Sequence, residues 1–486
     1  MIVRNSFLSL LALVLPLLVG VVTVPGIIQG LGLERFGVLT LVWAVIGYAS
    51  LFDLGIARAL THRVAQLHGQ RRHLGLVVRA GVLVLVVLGV IIGVLALLVL
   101  GLFDYSRFSI EEQEFSNSAW LVAANIPWVI ASGGFRGVLE GLRQFGVVSL
   151  VRLSFGLVTF LAPVVALQFA PRLDFIIAMM LLARVLGCLA MAWASRSAFV
   201  LGKPPTDSPM RQARRQIEVR RLLGFGGWMT VSNLTSAVML YADRFVLAYS
   251  PLAPLLAFYT TPYEFVTRLF IVPSALSSVL FPYMARGKSF TGINNRLLLL
   301  ASVLTLTAVA PVIAALILFA PQILGQWITP EFATHAALPL MILSVGVLVN
   351  CLAQLYQTYL LGHGKARWIA QMHIVQMLAF VPCVYAAVRY FGIEGVAWAW
   401  TLRVVLDAAA MLFMLVRTDA RLLRSGWAFL IALLVALFML ACAGSPWPLK
   451  ALLLAGLTSV CLVLGLRALY HPLLRGGAAE LQPHRG

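Results

Sequence analysis

Charge-free stretches long enough to cross a bilayer recur along the whole chain. A hydrocarbon layer of about 30 Å takes roughly 20 helical residues. Ser6 to Leu33, Ala80 to Phe103, Phe115 to Phe135 and Leu297 to Pro330 meet that length most plainly. Extending the pattern predicts spans near 6–30, 36–57, 80–103, 116–139, 147–169 and 173–195 in the first part. It predicts others near 223–248, 256–283, 297–319, 334–361, 368–389 and 394–416, with a last pair near 426–443 and 449–469. The expectation is an all-α polytopic membrane protein of about 14 transmembrane helices.

Composition agrees: 61% of the residues are apolar and 11% charged. Lys and Arg number 36 against 17 acids, a net charge of +19 that in a soluble protein would point to nucleic acid. The positive-inside rule explains it without such a partner. With the N-terminus in the cytoplasm, 27 of the 36 cations fall in tails and inner loops and five in outer loops (Arg35, Arg107, Arg172, Arg389, Lys450). Four lie inside spans: Arg184, Arg244, Arg268 and Arg403. Both termini are then cytoplasmic, and the acidic stretch from Asp104 to Glu114 is the longest outer loop. The apolar run after Arg4 is too long for a signal sequence and no small-residue cleavage site follows, so it reads as a retained first helix.

The five cysteines lie in spans at irregular spacing, which indicates neither a disulfide framework nor a zinc site. His62, His68 and His73 stand 6 and 5 apart in a basic inner loop, a spacing no helical metal site needs. GxxxxGK[ST], HExxH and GxSxG segments are absent from the sequence, so no ATPase engine, zinc hydrolase or familiar nucleophile is visible and no cofactor is expected.

The domain reading is a six-helix lobe over 1–199, a basic linker over 200–221, a second six-helix lobe over 222–420 and a helix pair with tail over 421–486. The linker region, with Arg196, Lys203, Pro204, Pro205, Arg211, Arg214, Arg215, Arg220 and Arg221, either lies on an anionic inner leaflet or only enforces topology. An internal repeat supports the division. A shift of 219 residues aligns Pro163 with Pro382 and Arg184 with Arg403. The inner turn Leu139-Glu140-Gly141-Leu142-Arg143 has a counterpart, slipped by two residues, in Leu360 to Lys365. Six spans is an even number, so the lobes are expected to be parallel repeats about an axis along the membrane normal.

Charges within spans mark candidate chemistry. A charged side chain at the centre of a membrane helix costs roughly 2.5–3.5 kcal/mol, and a guanidinium cannot shed its proton. Arg184 has Met180 and Cys188 one turn away on either side, so nothing local neutralises it. It must pair with a distant carboxylate, face a wet cavity or await an anion. Arg403 occupies the equivalent place with Asp407 four residues on, and Glu264 and Arg268 repeat that spacing, so each can form an intrahelical pair. Asp243 and Arg244 are adjacent and point roughly 100° apart. Three acids against four arginines give a slightly positive wall suited to an anion.

Short motifs in a consistent order then carry a family resemblance. Gly32 to Gly37, then Leu51, Phe52, Asp53, Leu54 and Gly55 before Arg58 and Arg63, are similar to the first hairpin of the bacterial oligosaccharide (Wzx-like) flippases. These form the polysaccharide transport family of the multidrug/oligosaccharidyl-lipid/polysaccharide superfamily. The span with Asp243 and Arg244, then Phe258, Tyr259 and the Leu280-Phe281-Pro282 ending, resembles the second-half counterpart. Ala248 and Tyr249 stand where that family often has glycine, with Pro251 and Pro254 available to bend the chain instead.

The resemblance implies a secondary transporter, not an enzyme, in the bacterial cytoplasmic membrane. It would move a polyprenyl-diphosphate-linked oligosaccharide from inner to outer leaflet by alternating access, working as a monomer among membrane lipids, with a polysaccharide polymerase and other export proteins as partners. Arg184 and Arg403, with Arg244 and Arg268, are then the expected diphosphate ligands, and Asp243, Glu264, Asp407 and Asp53 the coupling or gating acids. Two other readings remain: a cation-coupled multidrug exporter of the same superfamily, and a membrane enzyme polymerising lipid-linked glycans.

Overall fold

The computed structural model describes residues 2–53, 56–66, 71–101, 110–142, 144–196, 239, 241–284 and 291–469. The basic linker, most of the span expected at 223–248, residues 104–109 of the acidic outer loop, and His68 lie outside the described residues. Hydrocarbon offers no water to bond backbone groups, so a chain of this pattern satisfies them within helices. Accordingly, the described residues contain helices and turns and no strand.

Ten helical stretches among the described residues are long and apolar enough to span. They match the expected spans outside 223–248, with three differences in form. The stretch Arg367–Thr418 contains two crossings that meet at Gly392. The expected span at 36–57 is a shorter helix of 17 residues, Leu33–Ala49, followed by a turn of 3-10 helix. The span at 256–283 is broken by a turn of 3-10 helix, Arg268–Phe270. The break sits at one of the intramembrane arginines.

The chain divides into two compact units, Met1–Ala257 and Phe258–Gly486. In the first, α1 (Ile2–Leu31) packs on α6 (Phe145–Leu167), and α5 (Glu112–Gly141) packs on α4 (Arg71–Gly101), α7 (Leu173–Ala194) and the short α3 (Ile56–Gln66). Helix α2 is Leu33–Ala49. The contact between α5 and α3 depends on small residues. Gly133, Gly137 and Gly141 recur every four positions, so they line one face of α5. A Cβ on Gly137 would run into the carbonyl oxygen of Ala57, and one on Gly141 would sit 2.7 Å from Val64. Lipid gives helices no hydrophobic reason to associate, so close backbone approach over small residues supplies van der Waals contact instead. This contact also sets the buried Asp53, at the end of a 3-10 turn (Ser50–Asp53), beside Gly133.

The second unit takes in nearly all of α8 (Leu256–Thr267), then α9 (Ile271–Met284), α10 (Thr291–Leu318), α11 (Ala320–Trp327), α12 (Pro330–Gly362), α13 (Ala366–Thr418), α14 (Leu423–Ala441) and α15 (Trp447–Leu469). Helix α12 is its axis. It packs on α9, α10, α11, α13 and α14, and its most apolar window is 89% buried, against 11% for α15. A helix apolar on every side belongs in a core, while α15 faces lipid. The start of α12 is set locally: Thr329 Oγ1 accepts a hydrogen bond from Phe332 N at 3.1 Å and Pro330 occupies the first turn. In α13 the first arm ends at Gly392, whose φ of 64° and ψ of −146° suit only glycine. The second arm returns beside the first and bonds to α12 through Thr401 Oγ1 and the Ile342 carbonyl, 3.0 Å apart.

Gly137→Leu forces α3 and α5 apart. The expected loss is about 1–3 kcal/mol of stability, read as a lowered unfolding temperature of the detergent-purified protein, and an unchanged unfolding temperature would refute the packing argument.

Candidate functional site

Arg184 is half-buried on α7, its guanidinium carbon 5.3 Å from the centroid of the Phe155 ring on α6. In the second unit, Arg403 on the returning arm of α13 lies 5.0 Å from the Phe380 ring on the first arm. The two rings are not equivalent under the shift of 219, which would align Phe155 with Ile374 and Phe380 with Leu161. Different sequence positions thus produce one arrangement, an arginine on the second limb of a helical hairpin held against an aromatic face of the first. Such a contact returns about 0.5–2 kcal/mol, less than the roughly 2.5–3.5 kcal/mol that intramembrane charge costs. Each guanidinium keeps donors for a further partner. Among the described residues no carboxylate lies at ion-pair distance from Arg184.

The intrahelical pair expected of Arg403 and Asp407 does not form. Asp407 turns to the first arm, where its Oδ1 lies 3.5 Å from His373 Nε2. The reason is the hairpin, which puts an imidazole from 34 positions upstream at the same level as the carboxylate. The Glu264–Arg268 pair does form, at 3.0 Å, with the Arg268 side chain 49% exposed. Asp243 and Arg244 are both fully buried. The Asp243 carboxylate accepts a hydrogen bond from the Arg244 backbone N–H at 2.8 Å, and the Arg244 guanidinium sits 4.6 Å over the Tyr241 ring. They are core groups in this conformation, whereas Arg268 is open to its surroundings.

Asp53, Arg184, Asp243 and Arg244 therefore belong to the first unit, and Glu264, Arg268, Arg403 and Asp407 to the second. Sequence reasoning missed His373 and its neighbour Gln376. The signal was available: His373 is an ionisable side chain inside an expected span.

It also missed the polar joint at the end of the first unit where α1 meets α2 and α6 meets α7. Glu114, 2% exposed, accepts from Arg35 Nε at 3.1 Å and Nη2 at 3.0 Å, and from the backbone N–H of Leu173 at 2.7 Å. One carboxylate thus ties the first turn of α5 to the starts of α2 and α7. Beside it, Asp174 accepts from Arg172 at 2.9 Å and from Asn117 at 3.2 Å. In the second unit a comparable joint links α10, α12 and the segment after α13. Asn295 donates to Asp419 at 2.6 Å and accepts from the Tyr359 hydroxyl at 2.8 Å. Hydrogen bonds from the Arg421 backbone N–H and from Asn295 hold the Asp419 carboxyl below the usual carboxylate range.

The architecture has solved counterparts. The inward-facing conformation of a multidrug resistance transporter of the MATE family superposes with a TM-score of 0.65 at 18% identity, over 86% of this chain and 99% of that one. Lipid II flippase MurJ in an inward closed conformation gives 0.66 at 14%, over 96% and 100%. These likenesses define the class by fold alone, a multi-pass helical bundle that the chain shares with those two transporters. The chain belongs to the polysaccharide biosynthesis protein family, which matches residues 2–288. A Shigella flexneri protein named "Putative O-antigen transporter" is 29% identical over 422 residues, covering 86% of this chain and 98% of that one. The family match includes Asp53, Arg184, Asp243, Arg244, Glu264 and Arg268 and stops short of the α13 hairpin.

Removing the Arg35 side chain strands a buried carboxylate, whereas Glu114→Gln leaves a half-exposed guanidinium that water can solvate. Arg35→Ala should therefore cost about 3 kcal/mol or more and Glu114→Gln less, about 1.5–2 kcal/mol. Thermal unfolding of the two purified variants checks the order.

Proposed function

We propose that the protein is a secondary transporter, not an enzyme, that flips a polyprenyl-diphosphate-linked oligosaccharide from the inner to the outer leaflet of the cytoplasmic membrane for surface polysaccharide biosynthesis. The observation that carries the reading is the pair of repeat-related arginines, Arg184 and Arg403, each held over a phenylalanine with donors to spare. Guanidinium groups match phosphate oxygens with paired hydrogen bonds, which ammonium groups do less well. The polysaccharide biosynthesis family and the O-antigen transporter relative support a glycan cargo.

In this mechanism the diphosphate sits against Arg184 and Arg403, the glycan passes through a wet lumen and the lipid tail stays in the bilayer. The two expected lobes, 1–199 and 222–420, would work by alternating access. Arg268, half exposed beside Glu264, offers a further cation. Arg244 becomes a ligand only in a conformation that uncovers it. Asp243, Glu264, Asp407 and Asp53 are the acids available for coupling or gating. Taking the diphosphate as about two negative charges, outward movement down a potential of 100 mV, negative inside, releases roughly 4.6 kcal/mol. No nucleotide hydrolysis is needed.

A strain carrying Arg184→Ala, with the protein present in the membrane at normal level, should lose surface glycan, and Arg184→Lys should restore it poorly. Wild-type glycan in the alanine strain would overturn the assignment. Altered drug susceptibility of a deletion strain with intact surface glycan would favour the multidrug reading.

A further inference from the structure

The α13 hairpin carries a polar seam that the diphosphate site alone does not account for. His373, Gln376 and Phe380 occupy positions i, i+3 and i+7 of the first arm and so share a face; Arg403 and Asp407, at i and i+4, share a face of the second. The two faces meet, since Phe380 touches Arg403 and His373 touches Asp407. Three polar atoms in the seam, Gln376 Oε1, Arg403 Nε and Asp407 Oδ1, are buried without a hydrogen bond. Buried groups in that condition carry an unmet electrostatic demand.

We propose that His373 and Asp407 form a proton-operated counter-charge to Arg403, so that proton uptake by this pair frees Arg403 to hold an anion. The inference rests on the reading of Arg403 as a diphosphate ligand. With the imidazole neutral, Asp407 and Arg403 sum to zero charge one helical turn apart, and the carboxylate repels any phosphate that approaches the guanidinium. With the imidazole protonated, its positive charge 3.5 Å away cancels the carboxylate, and the seam presents a net positive charge. Histidine is the side chain whose ordinary range makes such a change available between about pH 5 and 8.

The first unit lacks this device. Under the shift of 219, Asp407 corresponds to Cys188 and His373 to Ser154. Arg184 is thus a constant cation and Arg403 a conditional one. The other ionisable groups stand apart from the seam. Arg367, Arg389, Glu394 and Arg417 lie toward the ends of the two arms, and Cys383, Tyr385 and Tyr390 lie further along the first. On α12, Glu331 and His335 occupy the first two turns and His363 follows the last, while Cys351, Tyr356 and Tyr359 in its second half carry no charge near neutrality. Helix α14 has no ionisable side chain beyond its first turn, and the 3-10 turn before it carries Arg421.

The test is equilibrium binding of farnesyl diphosphate to the purified full-length protein in nanodiscs at about pH 6 and pH 8. Each variant is compared with wild type at the same pH, which cancels titration of the probe itself. Asp407→Asn should bind about tenfold tighter than wild type at the higher pH and equally at the lower. His373→Gln should bind as wild type at the higher pH and about tenfold more weakly than wild type at the lower. Asp407→Glu should keep the wild-type profile, and it holds the comparison should Asp407→Asn fail to fold. Arg403→Gln separates the two claims. If it binds as tightly as wild type at both pH values, the diphosphate assignment fails; if it weakens binding while His373→Gln follows wild type at both, the proton-operated counter-charge is overturned.

Discussion

An arginine in hydrocarbon cannot shed its charge, and the rest of this structure is arranged around that constraint. An acid or a lysine placed mid-span can neutralise itself; a guanidinium must be solvated by protein, water or ligand. Here the solvation is supplied in part by an aromatic ring on the neighbouring limb of a helical hairpin, once in each unit. The shortfall between what a ring returns and what the charge costs leaves these positions with donors for a further partner.

Packing in the two units meets a second demand of the same solvent. Lipid tails are as apolar as leucine, so helices gain little by exchanging lipid contacts for each other unless their backbones come close. In the first unit the glycine face of α5 provides that approach to α3. In the second, Gly346 on α12 does so for α13, since a Cβ there would come within 2.5 Å of the Trp400 ring. Polar joints at the helix ends, centred on Glu114 and on Asn295 with Asp419, then fix where the helices begin and stop.

The spans that the described residues cover and the class of fold were legible because lipid imposes a long, nearly charge-free window whose signal is local in sequence, and the family was legible in short motifs taken in order. The Glu264–Arg268 pair was legible for the same reason, since i and i+4 on one helix share a face. The partner of Asp407 was not. His373 reaches it only because the chain reverses at Gly392, and which of two candidate partners a carboxylate takes depends on side-chain directions set by packing. The coupling of Glu114 to both Arg35 and the start of α7 was hidden likewise, joining positions 79 and 59 apart in the chain.

The reversal at Gly392 has a mechanical side. It occupies a single residue, so the two arms of α13 have no slack between them and cannot slide past each other by a helical turn. His373 and Asp407 keep their register through any movement of the hairpin as a body. Under the proposed role, anything this element communicates is carried by its charge state at fixed geometry, as in a relay whose contacts never part.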